Sequence, residues 1–284
     1  MKKIYFSAKI NAPKQKVWEM LWDIDTYRIW TSAFTEGSDV KTDNWNEGSK
    51  VLFLDDKGGG MVSMVAANRK NEHMSFRHLG IIKNGIEDTS SDIIKVWAGA
   101  TENYHLSGNN GTTTLLVDMD ITEDFKDYME KTWPVALEKI KALAEGKIKI
   151  VISISLSVNA PVSKVWEYWT SPKHITEWNH ASDDWHCPKS ENDLQPGGKF
   201  SSTMAAKDGS FSFNFCGTHN EVEIQNIITS TLGDGRKMKV KFEENDGQTS
   251  VSESFEAETI NSLELQRNGW QAILNNFKKH TETN

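Results

Sequence analysis

The chain has 284 residues, 37% of them apolar and 25% charged, enough to bury a core in each of two domains of ordinary size. Forty acidic against 32 basic side chains leave a net charge of −8, and both halves share it: residues 1–147 carry 19 Lys+Arg against 22 Asp+Glu, the remainder 13 against 18. Neither half has the basic stripe that phosphate neutralisation needs, which excludes a nucleic-acid partner and argues against an anionic membrane surface.

No stretch approaches the ~20 apolar residues of a membrane span, so membrane insertion is not expected. The opening MKKIYFSAKINAP lacks the apolar run of a signal peptide. Two cysteines, Cys187 and Cys216, do not make a disulfide scaffold. The expected home is a reducing cytoplasm. Eleven Trp, twelve Phe and nine Met are a heavy load of large side chains that something in the fold must use.

In chain order, Ile4, Phe6, Ala8 and Ile10 alternate with polar residues as a half-buried strand does. Asn11-Ala12-Pro13 stops it and opens a short helix, and a second short helix runs toward Trp30. Strands follow over Val51–Leu54, Met61–Ala66, His73–Ile82 and Thr113–Ile121, with Gly58-Gly59-Gly60 read as a hairpin turn because no Lys-Ser/Thr follows to make a phosphate loop. Trp133, Leu137, Ile140 and Ala144 then mark one face of a long helix, which Gly146 ends.

The pattern then repeats. Residues 152–178 echo 4–30 at an offset of 148: Asn11, Ala12, Pro13, Lys16, Val17, Trp18, Glu19 and Trp30 fall on Asn159, Ala160, Pro161, Lys164, Val165, Trp166, Glu167 and Trp178. Near the two ends, Trp133, Leu137, Ile140 and Lys141 fall on Trp270, Leu274, Phe277 and Lys278 at an offset of 137. Duplication explains both echoes. The second copy shows an alternating strand over Ile152–Val158, helices ending near Trp178, and strands over Phe200–Met204, Phe211–Phe215, Met238–Phe242 and Val251–Ala257. Asp208-Gly209, Asp234-Gly235 and Asp246-Gly247 are its hairpin signals. Lys237, Lys239 and Lys241 alternate along one strand as a solvated face, and Leu263 to Phe277 forms the terminal helix. The fold class is therefore α+β: two tandem domains, 1–146 and 149–284, each a curved antiparallel sheet of about six to seven strands wrapped on a long C-terminal helix, with two short helices after the first strand.

A first strand ending in N-A-P with V-W in the next helix, the Gly197-Gly198-Lys199-Phe200 strand and the Gly269-Trp270-x-x-x-Leu274-x-x-Phe277 helix resemble the START-like (helix-grip, SRPBCC) superfamily. Trp178–Pro188 and Leu265–Leu274 are most similar to homologues of the heat-shock-protein ATPase activator. The resemblance covers the second copy and weakens over the first, where the Lys83–Trp97 region departs from it. It implies a sheet gripping the terminal helix around a cavity. Relatives bind apolar or aromatic small molecules, some are polyketide cyclases, and the eukaryotic founders stimulate a chaperone ATPase.

The expected ligand pocket of the second copy comprises Trp178, Trp185, His186, Phe200, Met204, Phe211, Phe213, Phe215, Trp270, Leu274 and Phe277; that of the first comprises Trp30, Trp45, Phe53, Trp97, Trp133 and Leu137. For any single ring, plain core packing is the competing reading. His180, Asp183, Asp184, His186 and Cys187 have no standard zinc spacing and are read as a loop, with Trp185 plugging the cavity mouth and His186 as a polar group there. Neither a metal nor a cofactor is expected, and no nucleophile–base pair is visible. Among Glu221, Glu223 and Glu253, the last interrupts the apolar face of Val251, Phe255 and Ala257 and is the candidate for an inward carboxyl, the alternative being that it pairs with a Lys or Arg of a neighbouring strand. The leading expectation is a non-enzymatic binding protein for an apolar or aromatic small molecule. The alternatives are a cyclase-like enzyme using Glu253 or His186 in the same cavity, and a protein-interaction module such as a chaperone co-factor.

Overall fold

The computed structural model describes residues 1–284, which divide into two compact units, Met1–Lys149 and Ile150–Asn284. The first unit runs β1 (Lys2–Ile10), α1 (Lys14–Trp22), α2 (Ile24–Thr31), β2 (Asp39–Lys41), β3 (Lys50–Leu54), β4 (Gly60–Arg69), β5 (His73–Lys83), β6 (Ile86–Asp88), α3 (Asp92–Lys95), β7 (Thr101–Ser107), β8 (Thr113–Ile121) and, after one 3-10 turn, α4 (Lys126–Ala144). Its eight-stranded antiparallel sheet has the order β1-β8-β7-β5-β4-β3-β2, with β6 paired to β5.

The second unit runs β9 (Val151–Val158), α5 (Val162–Thr170), α6 (Pro172–Trp178), β10 (Trp185–Asn192), β11 (Lys199–Ala206), β12 (Ser212–Glu223), β13 (Ile227–Leu232), β14 (Lys237–Asn245), β15 (Gln248–Glu256) and α7 (Leu263–Thr283). Its seven strands lie in the order β10-β11-β12-β13-β14-β15-β9. Each unit is thus an α+β domain whose sheet begins with a first strand packed beside the last and holds a long terminal helix.

The turn chemistry is local and strong. Asp246 and Gly247 have φ of 51° and 78°, so the two-residue β14–β15 hairpin takes the turn with two left-handed residues, which Asp-Gly supplies at low cost. The first unit departs from the expected pattern between Lys83 and Trp97, where β6 and the single-turn α3 are added beside β5. β10 is a correction: the segment from Trp185 was expected to be a loop, but it forms the edge strand of the second sheet. Its register skips between His186 and Lys189, across Cys187-Pro188, and an edge with a bulge is where a sheet tolerates proline. That bulge also breaks the alternation by which a strand is recognised.

The repeated Asn-Ala-Pro has a tertiary reason. In the first unit the fully buried Thr113 hydroxyl donates to the Ala12 carbonyl at 2.7 Å, and the Asn11 N–H donates to Glu145 just past α4 at 2.9 Å. In the second, Thr249 donates to Ala160 at 2.8 Å and the Asn159 N–H donates to Glu282 of α7 at 2.7 Å. The turn out of the first strand is thereby tied to the last strand and to the far end of the grip helix. Replacing Thr249 by Val keeps the shape and leaves the Ala160 carbonyl unpaired, so Thr249→Val is expected to cost about 1–3 kcal/mol in urea unfolding.

Candidate functional site

The second unit holds a partly open cavity of about 410 Å³ between the inward face of its sheet and helices α5, α6 and α7. Period-two alternation aims Phe200, Ser202 and Met204 of β11, Phe213, Phe215 and His219 of β12, and Met238 and Val240 of β14 into it. Trp169, Trp178 and Trp270 close it from the helices. Gly217 lets the Phe200 ring lie against β12: a Cβ there would stand 2.7 Å from that ring. Phe200 stacks on His219 with centroids 5.0 Å apart, and Trp270 stacks on Phe255 at 3.8 Å. The wall is aromatic and apolar with a few fixed polar groups, the ordinary make-up of a small-molecule site.

Those polar groups are placed by identifiable partners, with one exception. His219 is held at both nitrogens, Nε2 2.8 Å from Asn192 Oδ1 and Nδ1 3.0 Å from the Ser230 hydroxyl. Asn192 donates through Nδ2 to the Thr170 carbonyl, which turns its oxygen to His219 and makes Nε2 the protonated nitrogen. Burial lowers the pKa of His219, in keeping with a neutral ring. Arg236 at the rim is engaged by Asp234 at 2.8 Å and by the Glu256 carbonyl at 3.0 Å. Glu258 accepts from the backbone of Asn261 and Ile260 and is held below the usual carboxylate range despite partial burial. Glu253 has no partner. It projects inward from β15 between Val251 and Phe255, opposite Val240 and Ile154, is 7% exposed, and burial pushes its pKa up to about 8. Glu221 and Glu223 stand exposed on β12.

In the first unit the corresponding space is filled by rings. The strand registers align Phe53, Phe76 and Tyr104 with Ser202, Ser230 and Val240, and the helix repeat aligns Trp22 with Thr170. Trp22 meets Tyr104, Phe76 and Trp45 at centroid distances of 4.9, 5.4 and 5.4 Å, and Phe53 meets Phe76 at 5.2 Å. Trp133 closes the cluster against Phe34, Phe6 and Trp30 at 5.2, 5.7 and 6.1 Å. A buried polar chain crosses it: the Tyr104 hydroxyl donates to Glu102, which lies 3.4 Å from His78, whose other nitrogen is 2.8 Å from the Ser63 hydroxyl. Burial, reinforced by the charge of Glu102, holds the Tyr104 hydroxyl well above its ordinary pKa.

Of the residues expected in the second pocket, Trp178, Phe200, Met204, Phe213, Phe215 and Trp270 line the cavity. Leu274 and Phe277 do not; both are fully buried, and Phe277 backs the wall by packing edge-on against Trp169 at 4.8 Å and Trp178 at 5.1 Å. Trp185, His186 and Phe211 also lie outside it. Trp185 and His186 sit on edge strand β10, and Phe211 is 60% exposed, its ring 6.2 Å from that of Trp185. In the first unit Trp30, Trp45, Phe53 and Trp133 belong to the ring cluster and Leu137 is buried core, whereas Trp97 lies just past α3, outside the cluster. Trp169, His219, Asn192, Arg236 and Met238 are lining residues that the sequence reading missed. No group of three or more His, Cys, Asp or Glu side chains is placed to hold a metal, and no helix is long and apolar enough to cross a membrane.

The family model of the activator of Hsp90 ATPase homolog 1-like proteins matches residues 159–282. The AHSA1-like protein of Aeromonas hydrophila is 42% identical over 46% of this chain and 92% of its own, with a TM-score of 0.44. A protein of Cytophaga hutchinsonii is 49% identical over 46% of this chain and 91% of its own, with a TM-score of 0.42. The chain belongs to the AHSA1-like family. The family model falls within the second unit. The di-domain ARO/CYC BexL from the BE-7585A biosynthetic pathway spans all of both chains at 13% identity and a TM-score of 0.43. No curated protein matches the chain significantly.

In this AHSA1-like unit, the unpartnered Glu253 sets a pH dependence of stability. An unfolded carboxyl titrates near 4.5 and the folded one near 8, so between these values the folded state holds a proton that the unfolded state releases. Stability contributed by the neutral carboxyl is full below pH 4.5 and is lost as pH rises through 8. Glu253→Gln, which cannot ionise, is expected to melt increasingly above the wild type between pH 5 and 9 and to show no such gain near pH 4. Thermal melts across that range check it.

Proposed function

We propose that the protein is a non-enzymatic binding protein that takes an extended apolar or aromatic small molecule into the second unit, with the first unit as its filled structural companion. The observation that carries this reading is the contrast at matched positions: Thr170, Ser202, Ser230 and Val240 stand where the first unit has Trp22, Phe53, Phe76 and Tyr104. Close packing of the interior is the rule, and leaving a ring-lined hollow unfilled costs stability, so a guest is what offsets it. Apolar burial at about 25 cal/mol per Å² against several rings favours binding by several kcal/mol before ordering costs. The two free thiols suit a reducing cytoplasm as the setting.

An enzymatic reading is favoured by one observation, the carboxyl of Glu253 kept protonated near neutral pH inside the cavity, as a general acid requires. A pH–rate profile on polyketide-like substrates separates the two readings: turnover falling as pH rises through 8 and abolished in Glu253→Gln selects the enzyme.

The binding reading is tested by giving the second unit the first unit's rings. Ser202→Phe with Val240→Tyr is expected to leave a cooperative thermal transition and to lower affinity for a naphthalene probe at least tenfold; native mass spectrometry of the freshly purified pair is expected to show a co-purified molecule on the wild type alone. Undiminished binding in the filled variant contradicts the proposal.

A further inference from the structure

The cavity's charged groups differ in whether they are already engaged. Arg236 is taken up by Asp234, Glu258 by backbone N–H groups, and Glu191 by Lys189 at 2.7 Å. His219 is spent at both nitrogens. Glu253 alone presents an ionisable group with nothing bound to it, on the inward face of β15. Along the other strand facing it, Lys237, Lys239 and Lys241 point to the opposite side of the sheet from Met238 and Val240, so no cation of the protein faces it there. On its other side Ser153 and Ser155 of β9 flank the apolar Ile154.

A buried carboxyl without a partner is costly, and three tryptophans with Phe200, Phe213 and Phe215 share its cavity. Ring faces attract cations, and the lining as a whole holds three acidic side chains, Glu191, Glu253 and Glu258, against the single guanidinium of Arg236. A neutral guest can accept a hydrogen bond from the carboxyl, but only a cationic one answers both the carboxyl and the ring faces. We propose that Glu253 is the anchor for the protonated amine of an aromatic amine ligand, pairing with it as a carboxylate while the rings hold the ligand's aromatic body. This rests on the cavity being a binding site, and it narrows the ligand to cationic amphipathic aromatics. The pairing conserves charge and protons simply: the carboxylic O–H of Glu253 gives its proton to solvent buffer as the ammonium enters, and no covalent bond of the ligand changes. Glu253 lies close to its titration point at neutral pH, so that proton release is measurable.

The test is isothermal titration calorimetry of the full chain at pH 7 with three probes sharing one ring system: 1-naphthylmethylamine, 1-naphthylmethanol and 1-naphthoate. The amine is expected to bind at least tenfold more tightly than the alcohol, with naphthoate weakest. Its apparent enthalpy is expected to differ between phosphate and Tris by the heat of the released proton, as the alcohol's does not. Glu253→Gln is expected to remove both the amine's advantage and its buffer dependence, while the alcohol's remaining heat reports that the variant is folded. An amine that binds no better than the alcohol, or an advantage that survives Glu253→Gln, overturns the anchor. If none of the three probes binds, the cavity reading falls with it, an outcome distinct from binding without selectivity.

Discussion

A twisted antiparallel sheet that curves around one helix encloses more space than the helix alone fills, and the residues at the inward strand positions decide what happens to the remainder. Every other feature of this protein follows from that volume constraint being met in two ways. In the first unit Trp22, Phe53, Phe76 and Tyr104 fill the space in edge-to-face contact with one another, and the packing resembles an ordinary core. In the second, Ser202 and Val240 at two of those positions line a cavity of about 410 Å³, and Phe200, Phe213 and Phe215 form its wall.

The scaffold that permits both outcomes is held by contacts the two units share. Thr113 and Thr249 fasten the turn after the first strand, while Glu145 and Glu282 fasten it to the end of the grip helix. With the frame tied at the same points, interior side chains can be exchanged for smaller ones without the sheet closing onto the helix. Polar groups then follow the space. Where rings fill it, Glu102 finds Tyr104 and His78; where it is open, Glu253 finds nothing and stays protonated.

Much of this was legible in the sequence, for physical reasons. The offsets of 148 and 137 between the copies reveal the duplication, strict alternation in Ile152–Val158 gives a strand, and the Trp270, Leu274 and Phe277 spacing gives the terminal helix. Glu253 was legible because a carboxylate interrupting an inward apolar row can only be paired or stranded, and it is stranded. The cavity itself was legible only in part. A search for rings finds its wall and also sweeps in Leu274 and Phe277, which are core, and Trp185, which is at an edge. A hollow is written in small residues, and Ser202 and Val240 become informative only when the strand register sets them beside the rings of the other copy. β10 escaped because a bulge and a proline break the alternation that marks a strand.

The two units differ in that one is hollow and the other filled. Methyl NMR under xenon pressure tests it without knowledge of the natural ligand, because xenon enters apolar cavities of this kind. Saturable shifts are expected at Met204, Ile228, Met238 and Val240, and none at Val62, Val65, Met74 or Val117. Equal shifts in both sets, or none in the second unit, would contradict it.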